Sequence, residues 1–425
     1  MRDHGRCVAR SAGAFTASQL VAALIVTTLI GIYARSVARA QSVDIARELE
    51  ENGESKLPFL RARPWRWLRT NWLDEMDRLD RRLGLRVGIS FTTIYQHAAG
   101  LDSPNNATVA TVDVYARWKL IDLGLLGQGA MGALVRDRSS FEDLNGNELS
   151  KSVGLPWSIN NSGSSGYTRL TQWWWEQSMF HRTLVLKLGR LDEPSLFDQN
   201  RVAINDTKHF MMQSLVHSQT ILFPGNGAGL NVRYEPSAGF YATAGFGDAN
   251  GDPDRRPREG ISSFGKGEYF EAGEIGVSPN LESLWAGAGQ GTYRLMGWHT
   301  AATSDHSSGS GFALSFDQDV GKAIVPFLRF GYCPDDVFKT SLELSWGVEA
   351  INPFGRSSDR SGIGASWGKP VASASRDQFA AEIFYRLEVV EGVSLSADAE
   401  LVFDPALQPD RDFVAVLGVR TRLSL

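Results

Sequence analysis

The stretch Thr111-Val112-Asp113-Val114-Tyr115-Ala116-Arg117-Trp118-Lys119-Leu120 decides the fold. In extended chain, Val112, Val114, Ala116, Trp118 and Leu120 share one face, and Thr111, Asp113, Tyr115, Arg117 and Lys119 share the other. A period of two is the signature of a β-strand with different media on its two sides. One face here demands an apolar medium and the other, carrying three charges, demands water. The pattern recurs at 339–350, where Leu342, Leu344, Trp346 and Val348 oppose Ser341, Glu343, Ser345 and Gly347. It recurs at 393–403, where Leu395, Ala397, Ala399, Leu401 and Phe403 oppose Ser394, Ser396, Asp398 and Glu400.

Working outward, about sixteen such strands are predicted between Leu85 and Leu425: 85–95, 108–120, 127–138, 169–179, 183–191, 227–235, 239–248, 267–277, 291–300, 311–319, 323–332, 339–350, 359–368, 377–389, 393–403 and 412–425. Many strands of about ten residues without a membrane-length apolar run fit an all-β transmembrane antiparallel barrel, apolar outside and wet inside. A soluble sandwich or propeller would also alternate. Three features favour the barrel: charges on the polar face, aromatic residues near strand ends (Tyr95, Tyr234, Tyr332, Phe403, Phe413), and connections that alternate short and long. If the first strand starts from the periplasm, the long connections fall mostly outside the cell, and an even strand count leaves both barrel ends in the periplasm.

Residues 1–40 read as an export signal. Arg2, Arg6 and Arg10 precede a thirteen-residue apolar core, Leu20 to Ile32, and Ala38-Arg39-Ala40 is a small-x-small cleavage site. Without it the chain keeps 38 basic and 47 acidic residues, a net charge of −9, which is not a nucleic-acid-binding balance. Cys333 is then the sole cysteine, so no intramolecular disulfide forms. Residues 41–84 form an N-terminal periplasmic helical segment. Within it Ile45 to Glu54 is polar and helical or frayed, whereas Trp65, Leu68, Trp72, Met76, Leu79 and Leu83 keep the spacing of an amphipathic helix at the barrel mouth. A plug, or a contact with peptidoglycan or a periplasmic partner, is the sharper alternative for that helix. Residues 85–425 are the barrel domain.

The longest connection, 192–226, carries Phe197, Asp198, Asn200, Asn205, Asp206, Phe210 and Met211 rather than turn residues. A loop of that length is usually functional. We expect it to fold into the lumen and narrow it. Several runs fall in a characteristic order: Lys187-Leu188-Gly189-Arg190-Leu191-Asp192, Phe197-Asp198-Gln199-Asn200, Phe210 and Pro224, Gly245-Phe246-Gly247-Asp248-Ala249-Asn250-Gly251, Glu382-Ile383-Phe384-Tyr385-Arg386 and Asp398-Ala399-Glu400-Leu401-Val402-Phe403-Asp404-Pro405. Together they give the sequence a resemblance to the carbohydrate-selective porins of the OprB family. It covers nearly all of 85–425. It implies a sixteen-stranded barrel in the Gram-negative outer membrane, reached by export through the periplasm. It also implies passive, sugar-preferring diffusion with no catalytic chemistry. Three positions depart from the family pattern: Glu400 where a Gln is usual, Asp404 where an Asn is usual, and Leu425 where the last residue is usually Phe or Trp. The last of these implies weaker recognition by the outer-membrane assembly machinery.

A sugar filter needs groups that hydrogen-bond hydroxyls and aromatic faces that stack on a pyranose, bound weakly enough for exit. Face parity nominates Asp113, Tyr115, Arg117, Lys187, Arg233 and Arg329, together with Lys119, Glu235, Tyr241, Glu343, Glu382 and Arg386; the loop adds Asp198 and Asn200. The plain alternative for each is a solvated lumen charge. Trp173, Trp174 and Trp175 cannot all face inward. Asp248 to Asp254 spaces oxygen ligands as calcium loops do, but lacks the later Glu and is interrupted by Pro253, so it reads as a polar turn. The seven His show no zinc spacing, and no nucleophile-elbow or phosphate-loop motif occurs. We therefore expect no catalytic residue, metal or cofactor. Expected partners are outer-membrane lipid and lipopolysaccharide, small sugars and the assembly machinery, with no nucleic acid, and either monomer or trimer. Two other readings stay open: a general or anion-leaning pore, and, from another class, a secreted β-rich glycan-binding protein or hydrolase.

Overall fold

The computed structural model describes residues 44–425 except 55, 103, 125–126, 142–143, 161–167, 238, 253–262, 284–285, 335–336, 357 and 372–375. The expected export signal lies outside the described residues, as do Pro253 and Asp254 of the Asp248–Asp254 stretch. Two helices come first, α1 (Ile45–Gly53) and α2 (Arg63–Leu83). Sixteen strands follow: β1 Leu85–Ala99, β2 Asn106–Asp122, β3 Gln128–Ser140, β4 Arg169–Met179, β5 Leu184–Leu191, β6 Gly227–Ser237, β7 Phe240–Asp248, β8 Tyr269–Val277, β9 Ala288–Thr300, β10 Gly309–Val320, β11 Ile324–Tyr332, β12 Thr340–Ile351, β13 Arg360–Pro370, β14 Gln378–Val390, β15 Val393–Phe403 and β16 Phe413–Ser424. Every strand pairs antiparallel with its neighbours in sequence, and β1 closes on β16, so the sheet is a barrel without edges. All sixteen expected strands are present, with ends shifted by a few residues.

Alternation sets the two faces. Phe91, Tyr95, Trp118, Leu188, Ile363, Ile383 and Leu417 point outward and are exposed, while Ser90, Thr92, Gln96, Asp113, Glu382 and Arg420 point inward and are buried. No helix among the described residues is long and apolar enough to cross a membrane; the outward apolar band is carried by strands. Both ends of the barrel domain lie at one end of the barrel, here the terminal end. The longer connections, 141–168, 192–226 and 249–268, gather at the opposite loop end. Trp174 is inward and Trp173 outward. The Trp174 indole lies flat over Gly132, where an added Cβ would come within 2.2 Å of the ring.

The lumen is filled from both ends. From the loop end, α3 (Gly146–Val153) with the chain just after it, and loop 3 (192–226), which holds the short α4 (Gln213–Val216), pack Leu149, Trp157, Phe210 and Leu215 against the inward Phe327, Phe384, Val402 and Val416. The Phe210 ring sits 5.0 Å from Phe384 and 5.5 Å from Phe327. Burial of each such side chain contributes about 1.5–3 kcal/mol. The expectation that loop 3 folds inward is met. From the terminal end α1 rises into the barrel, with Ile45 packed among Tyr115, Leu134 and Trp174. This burial was not expected of a polar segment. The amphipathic α2 instead lies along the terminal rim. Its N-terminal half is tied to the β14–β15 turn through Trp65 and Arg69, and its C-terminal end to β1 and β2 through Asp80. Gly84 ends it in the left-handed region (φ 69°), and a Cβ there would meet the Lys119 carbonyl oxygen at 2.5 Å.

Candidate functional site

Loop 3 is held by inward side chains that alternation alone delivers. Arg329 on β11 pairs with Asp198 at 2.8 Å, both side chains fully buried. The same guanidinium donates to the carbonyls of Ala203 (3.0 Å) and Leu215 (3.2 Å). Asp198 also accepts the Ser218 amide at 2.8 Å. Glu382 accepts the Met211 and Met212 amides at 2.6 and 2.9 Å, and Glu343 accepts the Gln219 amide. Asn200 Nδ2 donates to Ser315 at 3.2 Å, and its Oδ1 accepts the Val202 amide. A long loop has many backbone groups to satisfy; here the wall supplies carboxylate acceptors and arginine donors, with Arg386 reaching the Lys208 carbonyl and Arg420 the Asp206 carbonyl besides Arg329. Asp198, Asn200 and Arg329 therefore do not face open lumen, as they were expected to; they seat the loop.

The wall formed by β2 to β6 differs. Asp113 is buried in a two-pronged pair with Arg136 (2.6 and 3.0 Å), and Tyr115 is 1 % exposed beneath α1, hydrogen-bonded to Asn52. Neither presents a free surface. Below them Glu176 gathers Arg117 (3.0 Å), Lys187 (3.6 Å) and Arg182 (3.6 Å), and the Lys187 ammonium stands 4.4 Å from the centre of the Trp174 ring. On β6, Arg233 stacks 3.8 Å over Tyr241 and pairs with Glu235 at 3.1 Å. Arg117 and Lys187 keep 16 % and 13 % of their side chains exposed. Arg117, Lys187 and Arg233 thus combine charge with partial access, and Lys187 and Arg233 stand beside an inward aromatic ring.

Between loop 3, α1 and the β11–β16 wall opens a vestibule of about 380 Å³ at the terminal end. Lys208 of loop 3 bridges Glu48 (2.7 Å) and Glu51 (2.5 Å) of α1, and Arg422 of β16 holds Glu48 at 2.8 Å. Burial would raise the Glu51 carboxyl, but Lys208 and Arg47 outweigh it and hold the group below the usual glutamate range. Burial pushes the Lys56 ammonium below the usual lysine value; Glu388 opposes this, while Arg386, Lys208 and Arg422 add to it. His209 pairs with Glu349 at 2.6 Å. Sequence reading missed this vestibule. The parity that sets Leu417, Val419 and Leu423 outward already turned Arg420 and Arg422 inward, but nothing announced that α1 would meet them.

Comparison with known proteins bears on what the site does. Residues 135–425 match the family described as "Carbohydrate-selective porin, OprB family". Among characterised relatives, Porin AaxA of Chlamydia felis is 22 % identical over 82 % of this chain and 80 % of its own length. Porin AaxA of Chlamydia pneumoniae is 23 % identical over 72 % of this chain and 70 % of its own length. Among solved structures, Pseudomonas putida OprB at high pH superposes with a TM-score of 0.68 at 17 % identity, covering 87 % of this chain and 99 % of that one. Its low-pH structure gives 0.55 at 15 % identity, over 88 % of this chain and all of that one.

Proposed function

We propose that this chain, which belongs to the OprB family of carbohydrate-selective porins and so is an outer-membrane channel of a Gram-negative cell, passes glucose and similar sugars by passive diffusion and without catalysis. The observation that carries this reading is the inward pairing of accessible cations with aromatic faces: Lys187 at Trp174, and Arg233 at Tyr241. A pyranose offers hydroxyls to the first and a flat C–H face to the second. Arg117 and Glu176 add a donor and an acceptor beside Lys187. Asp113, Tyr115, Asp198, Asn200 and Arg329 act one step back, by holding the wall and loop 3 in place. Each sugar contact is weak and open to water, so a solute can leave as well as enter. Export by the N-terminal signal and insertion by the assembly machinery complete the proposal.

Liposome swelling tests it, with refolded protein and three solutes: glucose, a disaccharide, and a zwitterionic amino acid of glucose size. Glucose is expected to enter faster than the size-matched amino acid, and Arg117→Gln with Lys187→Gln is expected to narrow that gap. Entry ranked by size alone would replace the sugar filter with a general pore.

A further inference from the structure

We infer that the terminal vestibule is a binding site for the carboxylate of an acidic monosaccharide, taken between Lys56 and Arg386. The inference rests on the sugar-porin reading and deepens it by naming a substrate class.

The first ground is charge. Seven of the side chains lining the vestibule are Lys or Arg, against four Glu. Three of the four acids are already engaged, and the fourth, Glu54, is exposed to solvent. Glu349 is held by His209 (2.6 Å) and Arg360 (3.4 Å), Glu51 by Lys208 and Arg47, and Glu388 accepts the Gly392 amide at 2.7 Å. The cations are not all matched. Among the described residues the Lys56 ammonium has no hydrogen bond or ion pair, although Glu388 is near enough to act on it. Arg386 donates only Nη1, to the Lys208 carbonyl at 3.0 Å, and its Nε has no partner. Nε and Nη2 form the edge with which a guanidinium grips a carboxylate in two-pronged fashion. Lys56 also feels Arg386, Lys208 and Arg422 as like charges, a repulsion that one bound anion relieves.

The second ground is shape and polarity. A cavity of about 380 Å³ falls in the range of small-ligand sites, about 300–1,000 Å³. Ser358, Ser394 and Ser424 share the lining and offer hydroxyls to a sugar ring. Glu349 and Glu388 stand in the same wall, which favours one negative charge on the ligand over the two of a phosphate ester. The vestibule opens beneath loop 3, so a solute passing the loop on that side meets it next.

The test is block of single-channel potassium chloride current through the refolded chain, comparing glucuronate, glucose and glucosamine. Glucuronate is expected to half-block at a concentration about tenfold below that for glucose, the scale of one charge-assisted hydrogen bond, and glucosamine to need more than glucose. Lys56→Gln, on the lead-in to α2 outside the barrel wall, is expected to erase most of the glucuronate advantage. Arg386→Gln should do the same, and Trp67→Ala should leave the ranking as it was. Equal block by glucuronate and glucose, or a Lys56→Gln channel that still prefers glucuronate tenfold, overturns the anion site. Failure of glucose swelling to exceed the size-matched amino acid overturns the sugar porin itself, so the two failures are distinguishable.

Discussion

Loop 3 and α1 enter the same lumen from opposite ends and are held there in opposite ways. Loop 3 hangs on Asp198–Arg329, both side chains at 0 % exposure, with aromatic packing around Phe210. The polar face of α1 hangs on Lys208, shared by Glu48 and Glu51, where the Glu51 carboxyl keeps 28 % of its surface exposed. A dry pair is expensive to break because the partner left behind stays desolvated. A wet pair can exchange its protein partner for water. The same barrel therefore carries one insert seated on a wholly dry pair and one whose seat is dry at Glu48 and Arg422 but wet at Glu51, so that part of it depends on conditions.

The strongest way to break this contrast is Arg329→Met. It strands Asp198 in a dry site and frees the carbonyls of Asp198, Ala203 and Leu215, so the loss expected is about 3–5 kcal/mol. Urea unfolding of the protein in vesicles reads it. Asp198→Asn combined with Arg329→Met should recover part of the loss, because no uncompensated charge remains. A single-variant loss below about 1 kcal/mol would make loop 3 no firmer than α1.

Acid should separate the two inserts further. The Glu51 and Glu48 carboxyls are held below the ordinary value of about 4.3 in the folded state. A depressed carboxyl contributes stability above its unfolded value and loses it as pH falls through its folded one. The α1 seat is thus fully present from about pH 5 upward and weakens below about pH 4. Single-channel conductance is expected to hold steady between pH 7 and pH 5 and to rise below pH 4, as α1 loosens. Glu51→Gln should move the channel part of the way toward that acid behaviour at pH 7. A Glu51→Gln channel whose conductance matches the unaltered chain at pH 7 and at pH 4 would mean that α1 is seated by Ile45 and its neighbours rather than by Lys208.

Strands and their faces were legible because a period of two reports the medium on each side, and lipid and water are as unlike as media can be. Val112 and Asp113 declare their faces without help from any distant residue. The inward path of loop 3 was legible from its length and composition. What Asp198, Asn200 and Arg329 do there was not: an inward charge reads the same whether it meets water or a partner 131 positions away. The helices divide for the same reason. α2 has an obvious apolar stripe and lies at the barrel mouth as expected, but the stripe is only partly covered there, with Leu68 41 % exposed. α1 is polar and went inside, because the interior of this barrel is itself polar and rewards Glu48 and Glu51 with Lys208 and Arg422. Amphipathicity locates an interface; it does not say which side of a barrel wall that interface is on.

The smallest effect should come from the outward side of α2. Trp67 is 70 % exposed, and no hydrogen bond of its indole is seen among the described residues. α2 is tied to the rim instead by Trp65 Nε1 to the Glu391 carbonyl (2.7 Å) and by Arg69 to the Glu391 carboxylate (2.9 Å). Trp67→Ala is therefore expected to shift urea stability by no more than about 0.5 kcal/mol and to leave conductance unchanged at pH 7 and at pH 4. Arg69→Ala at the same rim removes a buried side chain that also donates to the Asn52 carbonyl at the end of α1 (2.6 Å). A comparable, negligible effect of both would show that the rim does not hold α1. A large effect of Trp67→Ala alone would show that the exposed face of α2 is covered in the membrane, and that α2 rather than α1 is the better-anchored of the two helices.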